Sequence, residues 1–405
     1  MHKKFVIESE KKIPVFTSTD VLVIGGGPAG TAAAIAASKT GADTWLIERY
    51  NHLGGLWTGG QVLPLLSTHA IDINNNKIQA LRGIGNEMWQ RLKKMNMSIL
   101  DVDPVIDPEA AKFVMEQMLI ESGVKILYHT YATNVIKDGK VLKGVFIENK
   151  SGRSVILAKI FIDCSGDGDI FHFCGEDYAT MKYNIGLIHR LGNVDKINQN
   201  KSGYIKYFTG EETPIKGVNW MHMGGKKNQN AVDALTLSNL QIEYRQKIWN
   251  NFLRMKQTPG YEDVYLVDTA SQLGVRMSRI LEAEYKLSLH DTMTFEKFDD
   301  VIGISGAWTA MLYQSKRVPT DKRPIWQIPL RSLIPKKTDG LLVAGRSFSY
   351  EKKLFQDARV IGTCLITGQG AGVAAGIAIK NKQNVRDIDL KKLKNELLKQ
   401  KVYLG

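Results

Sequence analysis

The chain has 405 residues, 43% of them hydrophobic and 23% charged, with 37 glycines and a formal charge of +13. That balance excludes a disordered or fibrous chain and leaves enough apolar material for a large core in two or three structural units. Cys164, Cys174 and Cys364 show no CxxC or CxxxxC spacing, which argues against a zinc site or a dithiol redox centre, so no metal is expected.

Asp20 to Gly30 reads DVLVIGGGPAG. Val21 to Ile24 are apolar and uncharged, as in a strand buried on both faces of a parallel sheet. Gly25, Gly27 and Gly30 complete GxGxxG, and Thr31 to Lys39, TAAAIAASK, has strong helix propensity. Free N–H groups and the positive pole of such a helix attract a diphosphate, and only glycine lets the chain approach it. A second strand, Thr44 to Ile47, ends in Glu48, whose carboxylate is placed to accept hydrogen bonds from ribose hydroxyls and to repel a 2′-phosphate. The spacing predicts a dinucleotide site; the competing reading is that the glycines only permit tight helix–strand packing. Arg49 to Gln61, RYNHLGGLWTGGQ, is too glycine-rich for regular structure. Gly54 and Gly55 would let this loop close over a ligand longer than NAD, with the Thr58 hydroxyl beside it.

Further along, Ile84–Lys94 and Pro108–Ser122 read as helices, the second opened by Asp107 as N-cap and Pro108 at its first position. Val124–Tyr131 and Thr133–Lys137 read as strands, and Lys140–Ile147 with Ser154–Ile162 as a surface hairpin. Ile160 to Asp169, IFIDCSGDGD, is a strand ending in an acidic small-residue turn, the kind that gathers beside a ligand at the carboxyl ends of a parallel sheet. Phe171–Asn230 is polar and lacks helical period, which suggests a second domain covering the cofactor. Ala231–Met255 is expected to be a helix carrying Leu235, Leu237, Leu240, Ile242, Tyr244 and Ile248. Asp263–Arg279 returns to the first domain, and His290–Trp326 is again covering material.

Gly340 to Gly345, GLLVAG, repeats the pattern of a buried strand followed by glycine. The helix that follows carries Gly368, Gly372 and Gly376 on one smooth face, matching Gly30, Ala33 and Ala37 on the first helix, so the two can pack closely and bring both N-termini to one ligand. Thr363–Ile379 is uncharged, but it is glycine-rich and barely long enough to span a membrane, so a buried helix is expected. In Asp389–Lys401, Leu390, Leu393, Leu397 and Leu398 form an apolar face and the lysines a solvated one, which is preferred to a nucleic-acid patch.

GGGPAG, Glu48, LGGLWTGG, IDCSGDGD, LGVRMSR, IPLRSLIP, LLVAGRSFS and ARVIGTCLITGQGAGVAA follow one another in an order that resembles the FAD-dependent oxidoreductase family of glutathione-reductase-like flavoproteins, related to the flavin part of heterodisulfide reductase. The resemblance covers the first and last thirds well and the middle loosely. It implies an α/β fold: a Rossmann-like FAD-binding domain with a parallel sheet, helices and a β-hairpin, plus a mixed α+β substrate or cap domain. The division expected is 15–170 for the first part of the FAD domain, 171–262 for the cap, 263–289 for a return to the FAD domain, 290–334 for more cap, 335–385 for the C-terminal part of the FAD domain and 386–405 for a C-terminal helix. By the same resemblance Gly25, Gly27 and Gly30 hold the diphosphate and Glu48 the adenosine ribose, with Gly54, Gly55 and Thr58 on the diphosphate and flavin side. Cys164, Ser165 and Gly166, with Tyr131 or Ala132, lie near the adenine, and Gly345, Arg346, Arg359, Val360 and Thr363 border the flavin and ribityl chain.

Three positions depart from the family: Met277 stands between the arginines where relatives often have an acid, GISGAWTA replaces an aspartate-x-histidine pair, and Lys352 and Lys353 replace a histidine–glutamate pair. No second GxGxxG marks an NADPH domain. The candidates for chemistry are His69, Tyr350 and Arg276. Arg279 would share a helical face with Arg276 if that segment is helical, as an anion site or, preferably, in an ion pair. His290 reads as a neighbour of a cap, His52 as a weak candidate for covalent flavin attachment, and Trp57, Trp308 and Trp326 as a pocket wall or core. The function expected is FAD-dependent hydride transfer to or from a small organic substrate, with an unidentified external electron donor or acceptor. A FAD-dependent monooxygenase is the alternative, although AGRS replaces the usual glycine–aspartate flavin loop, and an RNA-modifying flavoprotein follows from the charge alone. The odd cysteine count and the lack of a leader-like segment point to the cytoplasm, with no membrane partner, nucleic acid disfavoured and a homo-oligomer admissible.

Overall fold

The computed structural model describes residues 6, 8–71, 76–306 and 325–405; Trp308 lies outside them. Its centre is a seven-stranded sheet. The strands β1 (Val15–Ile24), β2 (Thr44–Ile47), β3 (Lys125–Leu127), β4 (Tyr131–Asp138), β5 (Val141–Asn149) and β6 (Gly152–Asp163) stand in the order β3-β2-β1-β6-β5-β4. The helices α1 (Pro28–Lys39), α2 (Gly83–Lys94) and α3 (Pro108–Glu121) belong to the same part of the chain. Asp107 caps α3 by accepting from the Ala110 N–H at 2.9 Å, and Pro108 occupies the first turn, as its ring and missing N–H favour.

The strand β6 has two sets of neighbours. It runs parallel to β1 from Val155 opposite Val15 to Asp163 opposite Ile24. Its first half, Gly152–Leu157, pairs antiparallel with β5, and Phe161–Asp163 pairs parallel with the strand Leu341–Val343. The hairpin and the acid-ended strand read separately from the sequence are therefore one long element. The register aligns Ile24, Ile47, Leu127, Asp163 and Val343 at the carboxyl edge of the parallel strands, where an open α/β sheet binds its ligands.

The middle of the chain builds a five-stranded sheet from β7 (Tyr183–Gly192), β8 (Asn219–Gln229), β9 (Tyr265–Thr269) and the short strands Glu211–Glu212 and Gly274–Val275. The helix α4 (Ala234–Lys256) is tied to this sheet by buried Tyr244, whose hydroxyl donates to the Ile185 carbonyl at 2.8 Å and accepts from the Lys226 N–H at 2.7 Å. Leu240, Tyr244 and Ile248 are its buried face, while Leu235 and Ile242 are exposed.

The chain then closes the first domain with α5 (Ile361–Asn381) and α6 (Leu390–Lys399). The seam between α1 and α5 is as close as the glycines allow: a Cβ at Gly372 would stand 2.2 Å from the Ala33 carbonyl oxygen and one at Gly376 2.4 Å from Thr40 Cβ. Gly30 is not part of that seam; it packs on the Gly25 carbonyl, and Ala29 faces Gly368 instead. The described residues contain one helix long and apolar enough to cross a membrane, α5, and its apolar window is wholly buried. In α6, Leu393 and Leu397 are buried but Leu390 and Leu398 are exposed, so the apolar face is narrower than four leucines suggest. The strand Val301–Ser305 packs on α5, with Ile302 filling the space a side chain at Gly370 would need.

Candidate active site

One cavity of about 1070 Å³ opens at the carboxyl edge of the parallel strands and continues under the five-stranded sheet. Its floor is the glycine turn. Gly25, at φ +101°, lies so close to the next strand that a Cβ would meet the Cys164 carbonyl oxygen at 2.4 Å, and a Cβ at Gly30 would meet the Gly25 oxygen at 1.8 Å. Among the described residues, Gly27 has nothing within 4 Å of its Cβ position. Two glycines therefore close the turn and the third leaves it open toward the cavity. Gly27 is also the N-cap of α1, and no side chain among the described residues caps it; Pro28 has no N–H, which leaves those of Ala29 and Gly30 as the ones suited to an anion. Glu48 is held at the adjacent strand end: it accepts from the Gly26 N–H at 2.6 Å and the Tyr50 N–H at 2.9 Å. Gly55 folds back until its Cβ position lies 3.2 Å from Gly27 Cα. An uncapped helix start, an open glycine and a fixed carboxylate fit the diphosphate and ribose of a dinucleotide.

The turn after β6 supplies charge. Asp163 is a buried hub that accepts from the Ser165 N–H and hydroxyl and from the N–H groups of Ile170 and Phe171. Asp167 pairs with Arg346 at 2.6 Å and with Arg49 at 3.7 Å. Burial raises the Asp167 carboxyl, but the two guanidinium groups outweigh it and hold the carboxyl below its ordinary value. Arg346 also donates to the Gly166 carbonyl at 2.6 Å, and Arg279 pairs with Asp169 at 3.2 Å.

The roof comes from the five-stranded sheet. Strand alternation turns Trp220, His222 and Gly224 to the cavity, joined by Asn184, Gly186 and Ile188 from β7 and Leu237 and Gln241 from α4. The Gly224 Cβ position also has nothing within 4 Å among the described residues, so the roof leaves space there where a side chain would stand. Sequence reading missed this face, because WMHMGGKKNQ does not alternate as a half-buried strand does; Trp220 and His222 two apart were the available signal.

Of the residues expected at the site, Gly25, Gly27, Glu48, Gly55, Cys164, Ser165, Gly166, Arg276, Arg279, Gly345, Arg346 and Arg359 line this one cavity. Gly30 lies beneath it. Gly54 packs on Thr58, whose buried hydroxyl is spent on the Leu53 carbonyl. Tyr131 and Ala132 pair with β5 away from the cavity, with Tyr131 exposed. Val360 caps α5, and Thr363 is buried, donating to the Asp357 carbonyl at 2.9 Å. His69 lies on the short strand His69–Ile71, edge-on to Trp89, outside the cavity lining. Tyr350 is fully buried, donates to the Arg346 carbonyl at 2.7 Å, and has its phenol pushed up by burial. Arg276 and Arg279 do not share a helical face: the segment forms the strands Gly274–Val275 and Arg279–Leu281. His290 follows Ser288, the N-cap of a short helix, and His52 is buried with Nδ1 3.1 Å from the Leu53 carbonyl oxygen. Trp57 and Trp326 are core residues. Among the described residues, no group of His, Cys, Asp or Glu could hold a metal ion.

Residues 20–397 match a family model described as FAD dependent oxidoreductase. The digeranylgeranylglycerophospholipid reductase of Picrophilus torridus is 24% identical over 255 residues, covering 60% of this chain and 62% of that protein. The thiamine thiazole synthase of Metallosphaera sedula is 31% identical over 161 residues, covering 37% of this chain and 55% of that protein. The chain thus spans about three fifths of the length of the first of these relatives and less of the second. Among solved structures, CabE, an aromatic hydroxylase from angucycline biosynthesis, aligns with a TM-score of 0.51 at 12% identity, covering 95% of this chain and 66% of that one. At that identity the likeness is one of fold.

Proposed function

Because the chain belongs to the FAD dependent oxidoreductase family, we propose that it transfers a hydride between its FAD and a small organic substrate seated under the Trp220–His222 face of the cap sheet. The observation that carries this reading is the single cavity whose lining runs from Gly25 and Glu48 to Trp220 and His222. Its volume of about 1070 Å³ exceeds the ordinary small-ligand range of roughly 300–1,000 Å³, which suits a cofactor together with a second molecule.

Bound FAD supplies the two-electron chemistry. Gly25, Gly27 and the start of α1 would hold its diphosphate, and Glu48 a ribose. The uncapped N-terminus of α5 is a fixed positive pole at the Arg359 side of the cavity, suited to negative charge developing there. Trp220, Leu237 and Ile188 present apolar surface that orients the substrate and excludes water. His222 is the one imidazole among the described lining residues, and its ring nitrogens are the groups there that would pass a proton to or from the substrate. The Cys364 thiol, pushed up to about 12 by burial, stays protonated and takes no such part. The reductase name of the relative from Picrophilus torridus favours the reducing direction.

The test is anaerobic. The purified flavoprotein is reduced with dithionite and mixed with a panel of unsaturated and carbonyl compounds, and in a second series the oxidised form is mixed with hydroxy and amino compounds. Return or loss of the flavin absorbance with a defined organic product is expected, together with a roughly hundredfold slower flavin step in His222→Gln at unchanged FAD content. Incorporation of an oxygen atom into product only when air is admitted would replace this reading with a monooxygenase. A flavin that no compound reduces or reoxidises would overturn it.

A further inference from the structure

Five arginines meet the lower half of the cavity, and their partners divide them into two groups. Arg49 and Arg346 share Asp167, and Arg279 has Asp169. Arg276 and Arg359 line the same cavity with no carboxylate partner among the described residues. Arg276 is exposed to the cavity and makes no hydrogen bond or ion pair among the described residues. Arg359 is half-buried; its Nη2 donates to a neutral acceptor, Gln356 Oε1, and its Nε is buried without a partner among the described residues. The residue next to Arg276 is Met277, buried with its sulfur 3.4 Å from the Tyr350 hydroxyl, so it offers no neutralising charge.

We propose that Arg276 and Arg359 form an oxyanion site that holds the carboxylate or phosphate end of the substrate, while the apolar body of the substrate lies against Trp220 and Leu237. This rests on the cavity's being the substrate chamber. Two guanidinium groups within electrostatic reach of each other repel, and the repulsion grows where water is partly excluded. Burial and then Arg276 pull the Arg359 guanidinium down to about 10, the mark of a cation short of counter-charge. An arriving oxyanion relieves both groups at once, and the flat fork of a guanidinium matches the two oxygens of a carboxylate or phosphate. The free N–H groups that open α5, directly after Arg359, add charge of the same sign. Ile188, Trp220 and Leu237 present apolar surface to the chamber and suit an apolar body, while Arg245 on α4 is a further cation in the lining. Binding therefore has polarity: the anionic end is fixed near α5 and the apolar part is left to reach under the cap.

The test is equilibrium binding to the oxidised, FAD-loaded enzyme by calorimetry, with benzoate, phenyl phosphate and the neutral benzamide as probes. At least one oxyanion is expected to bind about tenfold or more tightly than benzamide, and the tighter of the two names the end group. Arg276→Gln should remove about tenfold of that affinity while leaving benzamide binding and FAD content unchanged, and Arg276→Lys should restore part of it. Arg359→Gln should act in the same direction; if it does not fold, Arg276→Gln, at an exposed position, decides alone. Equal affinity for benzoate, phenyl phosphate and benzamide, or an Arg276→Gln variant that binds the oxyanions as the parent does, would overturn the proposal. Loss of FAD from Arg359→Gln with Arg276→Gln silent would overturn it as well and assign the charge to the cofactor. No turnover is involved, so failure here leaves hydride transfer standing, and a flavin that no compound reduces leaves the titration readable.

Discussion

Gly368 of α5 lies against the carbonyl oxygen of Ala29 in α1, so close that a Cβ at Gly368 would stand 2.1 Å from it. Ala29 is also a cavity-lining residue, two positions past the open glycine of the turn. The approach of the two helices and the position of the cavity floor are thus one distance. Gly368→Ala cannot be absorbed by a flexible side chain, because what it meets is backbone. It should destabilise the fold by about 1–3 kcal/mol and weaken FAD retention more than an equal loss of stability elsewhere would. Thermal unfolding with a parallel count of bound flavin checks this.

Asp167 neutralises two arginines at the cavity edge. Asp167→Asn keeps the shape and removes the charge, leaving Arg346 with the Gly166 carbonyl; the loss should be about 3 kcal/mol. The carboxyl lies below its ordinary value when folded, so the unfolded chain takes up the proton first. Its stabilisation is complete above the unfolded value of about 3.9 and is lost as pH falls through the folded one. Urea unfolding at pH 7 and at the acid edge should show the variant and the parent converging as pH drops.

His189 on β7 titrates with the opposite preference for charge. It is 7% exposed, its Nδ1 is buried without a partner among the described residues, and burial pulls its value down to about 4. Between that value and the unfolded one of about 6.5, only the unfolded chain is protonated, so stability rises with pH across the window and is complete above it. His189→Leu should flatten the pH dependence there, removing a slope that integrates to something on the order of 3 kcal/mol. Denaturation midpoints measured every half pH unit would show it, and an unchanged slope would refute it.

Much of the first domain could be read before the structure, because its signals are local. GxGxxG between an apolar run and an alanine-rich helix, Asp107 ahead of Pro108, and glycines every fourth residue in α5 each carry their own geometric consequence. What was not legible depends on partners distant in sequence. His69 follows the glycine loop closely, but the chain turns it toward Trp89. Tyr350 follows Arg346, and its hydroxyl is used by that residue's carbonyl. The roof was hardest: a strand facing a cavity on one side needs neither apolar alternation nor polar content, so Trp220, His222 and Gly224 carry little pattern.

Gly224 is the direct probe of that roof. The space at its Cβ position is open, and its backbone needs no left-handed conformation, so Gly224→Leu should fold with stability within about 0.5 kcal/mol of the parent. The added side chain enters the chamber. Substrate and probe binding should fall by tenfold or more with FAD content intact, which calorimetry and the flavin spectrum separate; a variant that binds as the parent does would place the chamber elsewhere.

The seam between α1 and α5 also sets a timetable for synthesis. The first helix leaves the ribosome with an alanine-rich surface whose partner, residues 361–381, is made more than three hundred residues later. At roughly 5–20 residues per second that wait lasts on the order of tens of seconds. Throughout it, the nucleotide turn has one helix where two are needed, and the apolar surface stays uncovered. Closing such a distant pair is slow for entropic reasons, and early cofactor binding cannot hasten it, since the far wall of the site is the last part to exist. Premature termination anywhere before α5 therefore yields a chain with the motif but without the pocket, a species for chaperones and proteases to clear.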